Sequence, residues 1–381
     1  MFRLRIRPLL LVGCLIATCP DASAAGDGAA ANPPYRLVPK AARRVKASLT
    51  YEVKGPKLEA EEWAAYVAQL PELPGQVDVR TTLSPPGRAA RELSELGRPV
   101  IFTRILVDDE TGRHGLTVRI DCEATLIERA LEPLDVETGR PSVPALDPRS
   151  RKLALASTRD CDHQSPAFRA WLDRHQLRRK PEENDVDYAR RAFVAVRQAI
   201  QHVEGPNLER TASGVCGTGE SDYAGITAVY VAALRASGIP ARVLVGRIVL
   251  LGGQPAKGNF AHAKVEFHVK NVGWIPADIA GAIRKNRSSD GLESFGHDTA
   301  EFITTHVDTD IVVDTFFGRR TIERLPDVSW WVRGGGSFEG SETRVNPRID
   351  TETLALEDVM SRRNPAPAAK KGTTKTGSSR K

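Results

Sequence analysis

Three side chains in the second half of the chain have the types and order that thiol chemistry requires: Cys216, His262 and Asp278. A cysteine acts as a nucleophile through its thiolate, so it needs a base to remove the proton, and that base needs a third group to fix its tautomer and orientation. Cys216 lies in TASGVCGTGESDY, a run of small and polar residues ahead of a helix-like segment. At the positive end of a helix and beside an imidazolium, its pKa would fall. Gly214, Gly217 and Gly219 give the backbone freedom to present N–H groups to an oxyanion. His262 opens the strand-like AKVEFHV, and Asp278 follows the turn GWIPA. If those segments are antiparallel neighbours, imidazole and carboxylate meet edge to edge. Each residue also has a plainer role: buried apolar filler for Cys216, strand end for His262, turn former for Asp278.

The 381 residues are long enough for two domains, and a composition 41% hydrophobic and 27% charged is that of a globular protein with many loops. Residues 1–24, MFRLRIRPLLLVGCLIATCPDASA, put arginines before a short apolar run and small residues at its end, the pattern of a signal peptide. The run is too short and interrupted to span a bilayer, so the expectation is an exported, periplasmic or extracellular protein without stable membrane insertion. Leu11-Val12-Gly13-Cys14 also resembles a lipoprotein cleavage box, and anchoring through Cys14 is the lesser alternative. With Cys14 and Cys19 in the leader, Cys122, Cys161 and Cys216 remain, an odd number that leaves at least one thiol without an internal partner. Cys122 and Cys161 either pair or are small buried hydrophobes. The net charge of +6 owes several of its Lys and Arg to the two ends. No compact basic motif with interleaved aromatics points to nucleic acid.

Periodicity supplies the elements that must carry these residues. RVKASLTYEV from Arg44 alternates at a period of two, and Pro99–Val107 and Leu116–Ile127 read as further strands, so residues 34–130 form a β-rich domain. Glu59–Leu70 reads as a short helix. A proline-bearing linker occupies 131–160, and a second domain 161–350. Helices are expected at Pro166–Arg178, Asp187–Val203 and Asp222–Ser237. The last has Ser221 or Asp222 as N-cap and the stop pair Gly238 and Pro240. Strands follow at Ala241–Leu251, Lys264–Lys270 and Asp310–Phe316, with a short one at Glu301–Thr304. Residues 355–381 read as a disordered basic tail.

The second domain resembles the bacterial transglutaminase-like domain, a relative of the papain-like cysteine proteases. LRASGIPAR at 234–242, HAKVE at 262–266 and GWIPAD at 273–278 carry the likeness, over about residues 185–320. It implies an α+β fold, a papain-like transglutaminase core behind a β-rich leading domain. It implies acyl transfer from a glutamine side chain or peptide bond, to an amine or to water, with Cys216 attacking, His262 shuttling the proton and Asp278 orienting His262. Protein or peptide, including cell-wall peptide, would be the substrate, and no cofactor is implied. The likeness also opens an alternative. Family members carry the cysteine in the first turn of the central helix, and counting back from Arg235 lands on Tyr223, seven residues after Cys216. Either GTGES forms an added turn or loop and Cys216 serves, or Tyr223 replaces the nucleophile and the domain binds without reacting. Trp274 covers the site or fills the core.

Other clusters read as structural. His262 and His268 are too far apart on one strand to share a metal without a third ligand, so no metal is expected. Asp308, Asp310 and Asp314 lack an EF-hand pattern and read as a solvated turn. Trp330-Trp331 reads as packing between domains, and Asn286-Arg287-Ser288 fits a glycosylation sequon.

Overall fold

The computed structural model describes residues 34–134, 143–285 and 291–363. The expected leader, the sequon at 286–288, linker residues 135–142 and the tail from 364 lie outside the described residues.

The first region begins with β1 (Tyr35–Lys54), β2 (Leu58–Ala68), β3 (Gln76–Ser84), β4 (Arg88–Arg91) and β5 (Pro99–Leu106). After the helical turn α1 (Glu110–Arg113) comes β6 (Gly115–Pro133). β6 pairs antiparallel with both β1 and β3, while β5 pairs with β2 and β4. Their inner faces share one core, in which Val45 and Leu49 of β1 and Val118 and Ile120 of β6 meet Trp63 and Val67 of β2. Period-two alternation made β1, β5 and β6 readable. Residues 58–68 are a strand and not the expected helix. Ala and Glu favour a helix in isolation, but this segment is hydrogen-bonded on both sides and buried on both faces, and tertiary pairing overrides propensity.

The second region carries α2 (Pro148–Leu155), inside the expected linker, then α3 (Pro166–Arg174) and α4 (Asp185–Ala199). Next come β7 (Gln201–His202), α5 (Ala212–Thr218), β8 (Glu220–Ser221) and α6 (Tyr223–Ala236). β9 (Ala241–Leu251), β10 (Gln254–Val269), β11 (Gly273–Ala277), α7 (Ile279–Lys285), β12 (His297–Asp298) and β13 (Phe302–Val307) follow. β11, β10, β9 and β13 form an antiparallel sheet in that order. Every residue of α6 from Ala224 to Arg235 is buried, and its many small side chains let it lie at the centre between that sheet and α4.

The exit of α6 explains the LRASGIPAR motif. Gly238 has φ +76°, a left-handed conformation that favours glycine, and Ile239 N–H donates back to Leu234 carbonyl at 3.0 Å. The guanidinium of Arg235 donates to the carbonyls of Ala241 and Ala156 and to Asp308 Oδ1 at 2.9 Å. The carboxylate of Asp308 also accepts from Val243 N–H, so this member of the acidic run is a buried tie between helix exit and sheet.

After the hairpin β14 (Ile311–Thr315) and β15 (Gly318–Ile322), the chain returns to the first region. β16 (Val328–Gly336) pairs with β2, and β17 (Glu342–Leu354) pairs with β1. The sequence reading assigns both to the second domain. Trp330 packs on Trp63 and Trp331 on Tyr66, on the two faces of one sheet. Residues 356–363, read as tail, form α8 (Leu356–Arg363), whose Val359 packs with Ala42, Val77 and Ile127.

Cys122 and Cys161 do not pair. Both thiols are free and buried, Cys122 in the core of the first region and Cys161 in that around α6, and burial pushes each up to about 12.

Replacing Arg235 by leucine strands the Asp308 carboxylate in the interior. Removing one partner of such a buried pair costs ~3–5 kcal/mol. Urea unfolding of Arg235→Leu is expected to show that loss, and a loss below about 1 kcal/mol would refute the tie.

Candidate active site

His262 sits on β10 opposite Gly246 of β9. A side chain at 246 would strike the carbonyl oxygen of Ile303 on β13, so only glycine lets the three strands run this close. Asp278 follows the last residue of β11. The β10–β11 register, Val265 opposite Ala277, brings it back beside His262 as the sequence suggested. His262 Nε2 and Asp278 Oδ1 are 2.9 Å apart. The same oxygen accepts the Gly281 N–H at 2.8 Å, so Asp278 both caps the first turn of α7 and holds the imidazole.

Asp278 is well below the usual carboxylate range. Burial alone would raise it, but the charge and hydrogen bond of His262, the ammonium of Lys264 and the Gly281 amide outweigh that cost. Lys264, two residues from His262 on the same strand, is 3.4 Å from Asp298 and lies over the Phe302 ring. Phe302 in turn packs edge-on against His262, with centroids 5.9 Å apart. Sequence reasoning passed over Lys264 and Phe302. The period-two placement of Lys264 beside His262 was the available signal for the first, whereas nothing local pointed to the second.

The third member beside His262 is Tyr223. It is the first residue of α6, and its ring centroid is 5.8 Å from that of His262. Burial and the neighbouring Asp222 carboxylate raise its hydroxyl above the ordinary phenol value, against the lowering influence of Arg324 and Arg210. Asp222 is the N-cap: its Oδ1 accepts from Ala224 N–H at 3.0 Å and Gly225 N–H at 3.3 Å, and its Oδ2 accepts from Arg210. Those helix-terminal amides are therefore engaged by the protein's own carboxylate. His202 on β7 lies near enough that His262 bears on its protonation; its pKa is lowered by burial first and then by Arg284.

Cys216 belongs to a separate helix. It is the fifth residue of seven-residue α5, not at a positive helix end, and α5 closes at Gly219 with φ +75°. Two of the glycines named for an oxyanion hole use their N–H groups within α5: Gly214 to Thr211 Oγ1 and Gly219 to the Val215 carbonyl. The thiol is half-buried, and burial followed by the Asp162 carboxylate drives its pKa up, with only Arg174 opposing. That is the reverse of what an imidazolium neighbour would do. GTGES, the spacer between Cys216 and Tyr223, is neither a plain loop nor an added turn of α6: it ends α5, forms the two-residue β8 and reaches the cap.

Trp274 lies opposite His268 on the β10–β11 hairpin, with the Arg242 guanidinium 4.0 Å from its ring centre. It lines a cleft of about 440 Å³ with His268, Leu37, Val143 and Met360, at the end of β10 away from His262. Among the described residues no group of three or more His, Cys, Asp or Glu side chains is placed to hold a metal ion, and no helix is long and apolar enough to cross a membrane.

These features define a class. Residues 175–279 match the sequence profile of the transglutaminase-like superfamily, a stretch that contains Tyr223, His262 and Asp278. Residues 175–279 thus form a transglutaminase-like domain. Among solved structures it is similar to a Cytophaga hutchinsonii protein described as a candidate cysteine protease, with a TM-score of 0.52 and 12% identity over 84% of this chain and 93% of that one. It is also similar to the periplasmic domain of TgpA from Pseudomonas aeruginosa, with a TM-score of 0.32 and 14% identity over 65% of this chain and 92% of that one. A second structure of that domain, bound to ethylmercury, gives 0.30 and 16% over 61% and 89%. No curated protein matches the chain.

Because Asp278 is depressed in the folded state, its contribution to stability is full above the unfolded carboxylate value of ~3.9 and fades as pH falls below it. Wild type should therefore exceed Asp278→Asn in unfolding free energy at neutral pH, with the gap narrowing on acidification below about pH 4. A gap that is constant or grows in acid would contradict the His262–Asp278 pairing.

Proposed function

We propose that this chain is an exported transglutaminase-like protein of the cell envelope that binds peptide, cell-wall peptide included, beside His262 without thiol acyl transfer. The observation that carries the reading is the packing of the Tyr223 ring against His262 at the start of α6, the place the family resemblance gives to the nucleophile. A phenol with an ordinary pKa near ~10, raised further by burial, stays protonated at neutral pH and cannot attack a carbonyl. It can donate a hydrogen bond. His262, held by Asp278 through Nε2, keeps Nδ1 as the nitrogen not held by that carboxylate. A phenol donor beside an oriented imidazole suits the alternating donors and acceptors of a peptide backbone. Export rests on the charged-apolar-small order of residues 1–24.

Alkylation separates this reading from catalysis by Cys216. With iodoacetamide, native wild-type Cys216 should react slowly and only as pH rises above the ordinary thiol value of ~8.5. Tyr223→Cys should add a thiol that reacts about tenfold faster at neutral pH, and His262→Ala in that background should remove the gain. Ammonia release from a glutamine peptide by wild type, abolished by Cys216→Ala, would overturn the proposal.

A further inference from the structure

Far from His262 in the chain, one face of the sheet β16-β2-β5-β4 combines exposed apolar side chains with clustered arginines. The registers Arg333 opposite Glu62, Glu62 opposite Leu106, Ala64 opposite Arg104 and Arg88 opposite Phe102 put these residues, with Tyr66 and Trp331, on one side of the sheet. The β14–β15 hairpin covers part of that side: Ile311, Val313 and Ile322 pack with Tyr66, Val100 and Trp331, and the Tyr66 hydroxyl donates to the Asp314 carbonyl.

The remainder is continuous and open. Phe317, at the hairpin tip, is 49% exposed and packs edge-on against Phe316 at 5.1 Å. The Arg333 guanidinium lies 5.7 Å from the Phe316 ring centre and 2.6 Å from the buried Glu62 carboxylate, which also pairs with Arg104. Beside Glu62 on β5, Leu106 is 71% exposed. Arg88 is exposed as well, and at the hairpin tip Arg320, opposite the sheet-packed Val313, and Arg319, opposite Asp314 on the hairpin's other side, are both exposed. Glu62 is spent on two arginines, and Asp314 faces Arg319 across the hairpin, so the surface is left cationic.

We propose that this face docks on the headgroup layer of an anionic bilayer, with Phe317 and Leu106 entering between headgroups and the arginines pairing with lipid phosphates. Charge complementarity selects an anionic partner, and the planar fork of arginine matches a phosphate. The apolar side chains decide between a soluble polyanion and a membrane surface. A dissolved chain of phosphates or carboxylates gives Phe317 and Leu106 nowhere to leave water, whereas an interface offers charge and hydrocarbon within a few ångströms of each other.

The test is co-sedimentation of the full chain with phosphatidylglycerol–phosphatidylethanolamine vesicles and with phosphatidylcholine vesicles. Binding is expected to the anionic vesicles alone and to weaken steeply as salt rises from about 0.05 to about 0.5 M. Phe317→Ala should weaken it about fivefold, and the double substitution Arg319→Glu, Arg320→Glu about tenfold or more. All three side chains are exposed, and circular dichroism checks that the variants fold. The leader and the basic residues 364–381 are common to wild type and variants, so binding that survives both sets of substitutions overturns the proposal. Equal binding to phosphatidylcholine overturns it too, as does binding to soluble polyphosphate without binding to anionic vesicles.

Discussion

One carboxylate decides which side chain faces His262. Asp222 accepts the amides of Ala224 and Gly225 and so fixes the first residue of α6 as Tyr223. A capping interaction of this kind contributes only ~1 kcal/mol, but a helix buried from Ala224 to Arg235 cannot slide or rotate to present another residue. With α6 pinned at its exit by Arg235 and at its entry by Asp222, the residue at the imidazole follows from the register of the helix. Cys216, beyond a left-handed glycine and a two-residue strand, packs on the same core as Tyr223 but from the separate helix α5.

A second constraint is the seam between the two regions, which is polar as well as apolar. Glu266 of β10 pairs with Arg129 of β6 at 2.7 Å and with Arg242 of β9, while Arg129 also reaches Asp298. Gln76 spans the same seam, accepting from Thr304 N–H and donating to its carbonyl. Along β10 the side chains His262, Lys264 and Glu266 thus find partners on the β11–α7 junction, β12 and β6 respectively. The leading β-rich region is built into the wall behind the His–Asp pair.

Much of this was readable from residues alone, and the failures have physical causes. Of the strands of the first region, β1, β5 and β6 showed themselves because one face is more buried than the other. The span Ala241–Leu251 agrees because Pro240 and the glycines at 252 and 253 bound it. The His262–Asp278 approach was legible because a hairpin register is set locally. Residues 58–68 misled because their composition favours a helix while their hydrogen-bonding partners lie some 40 and 270 positions away, as in Tyr66 opposite Phe102 and Trp330 opposite Ala65. The partner of the imidazole stayed open between Cys216 and Tyr223, because the choice depends on where one helix ends and the next begins. Glycine at 219 and aspartate at 222 encode that point only once their backbone geometry is known.

The return of β16 and β17 to the first region has a consequence for biogenesis. Lys54 of β1 finds its partner in Glu342, and Leu58 of β2 in Gly336, so the first two described strands wait for the last two. Without residues 328–336 β2 has a hydrogen-bonding edge with no native neighbour, and without residues 342–354 β1 has one, the condition under which chains recruit foreign strands. The two sheets of the first region are therefore completed by long-range pairings that local helix formation cannot supply.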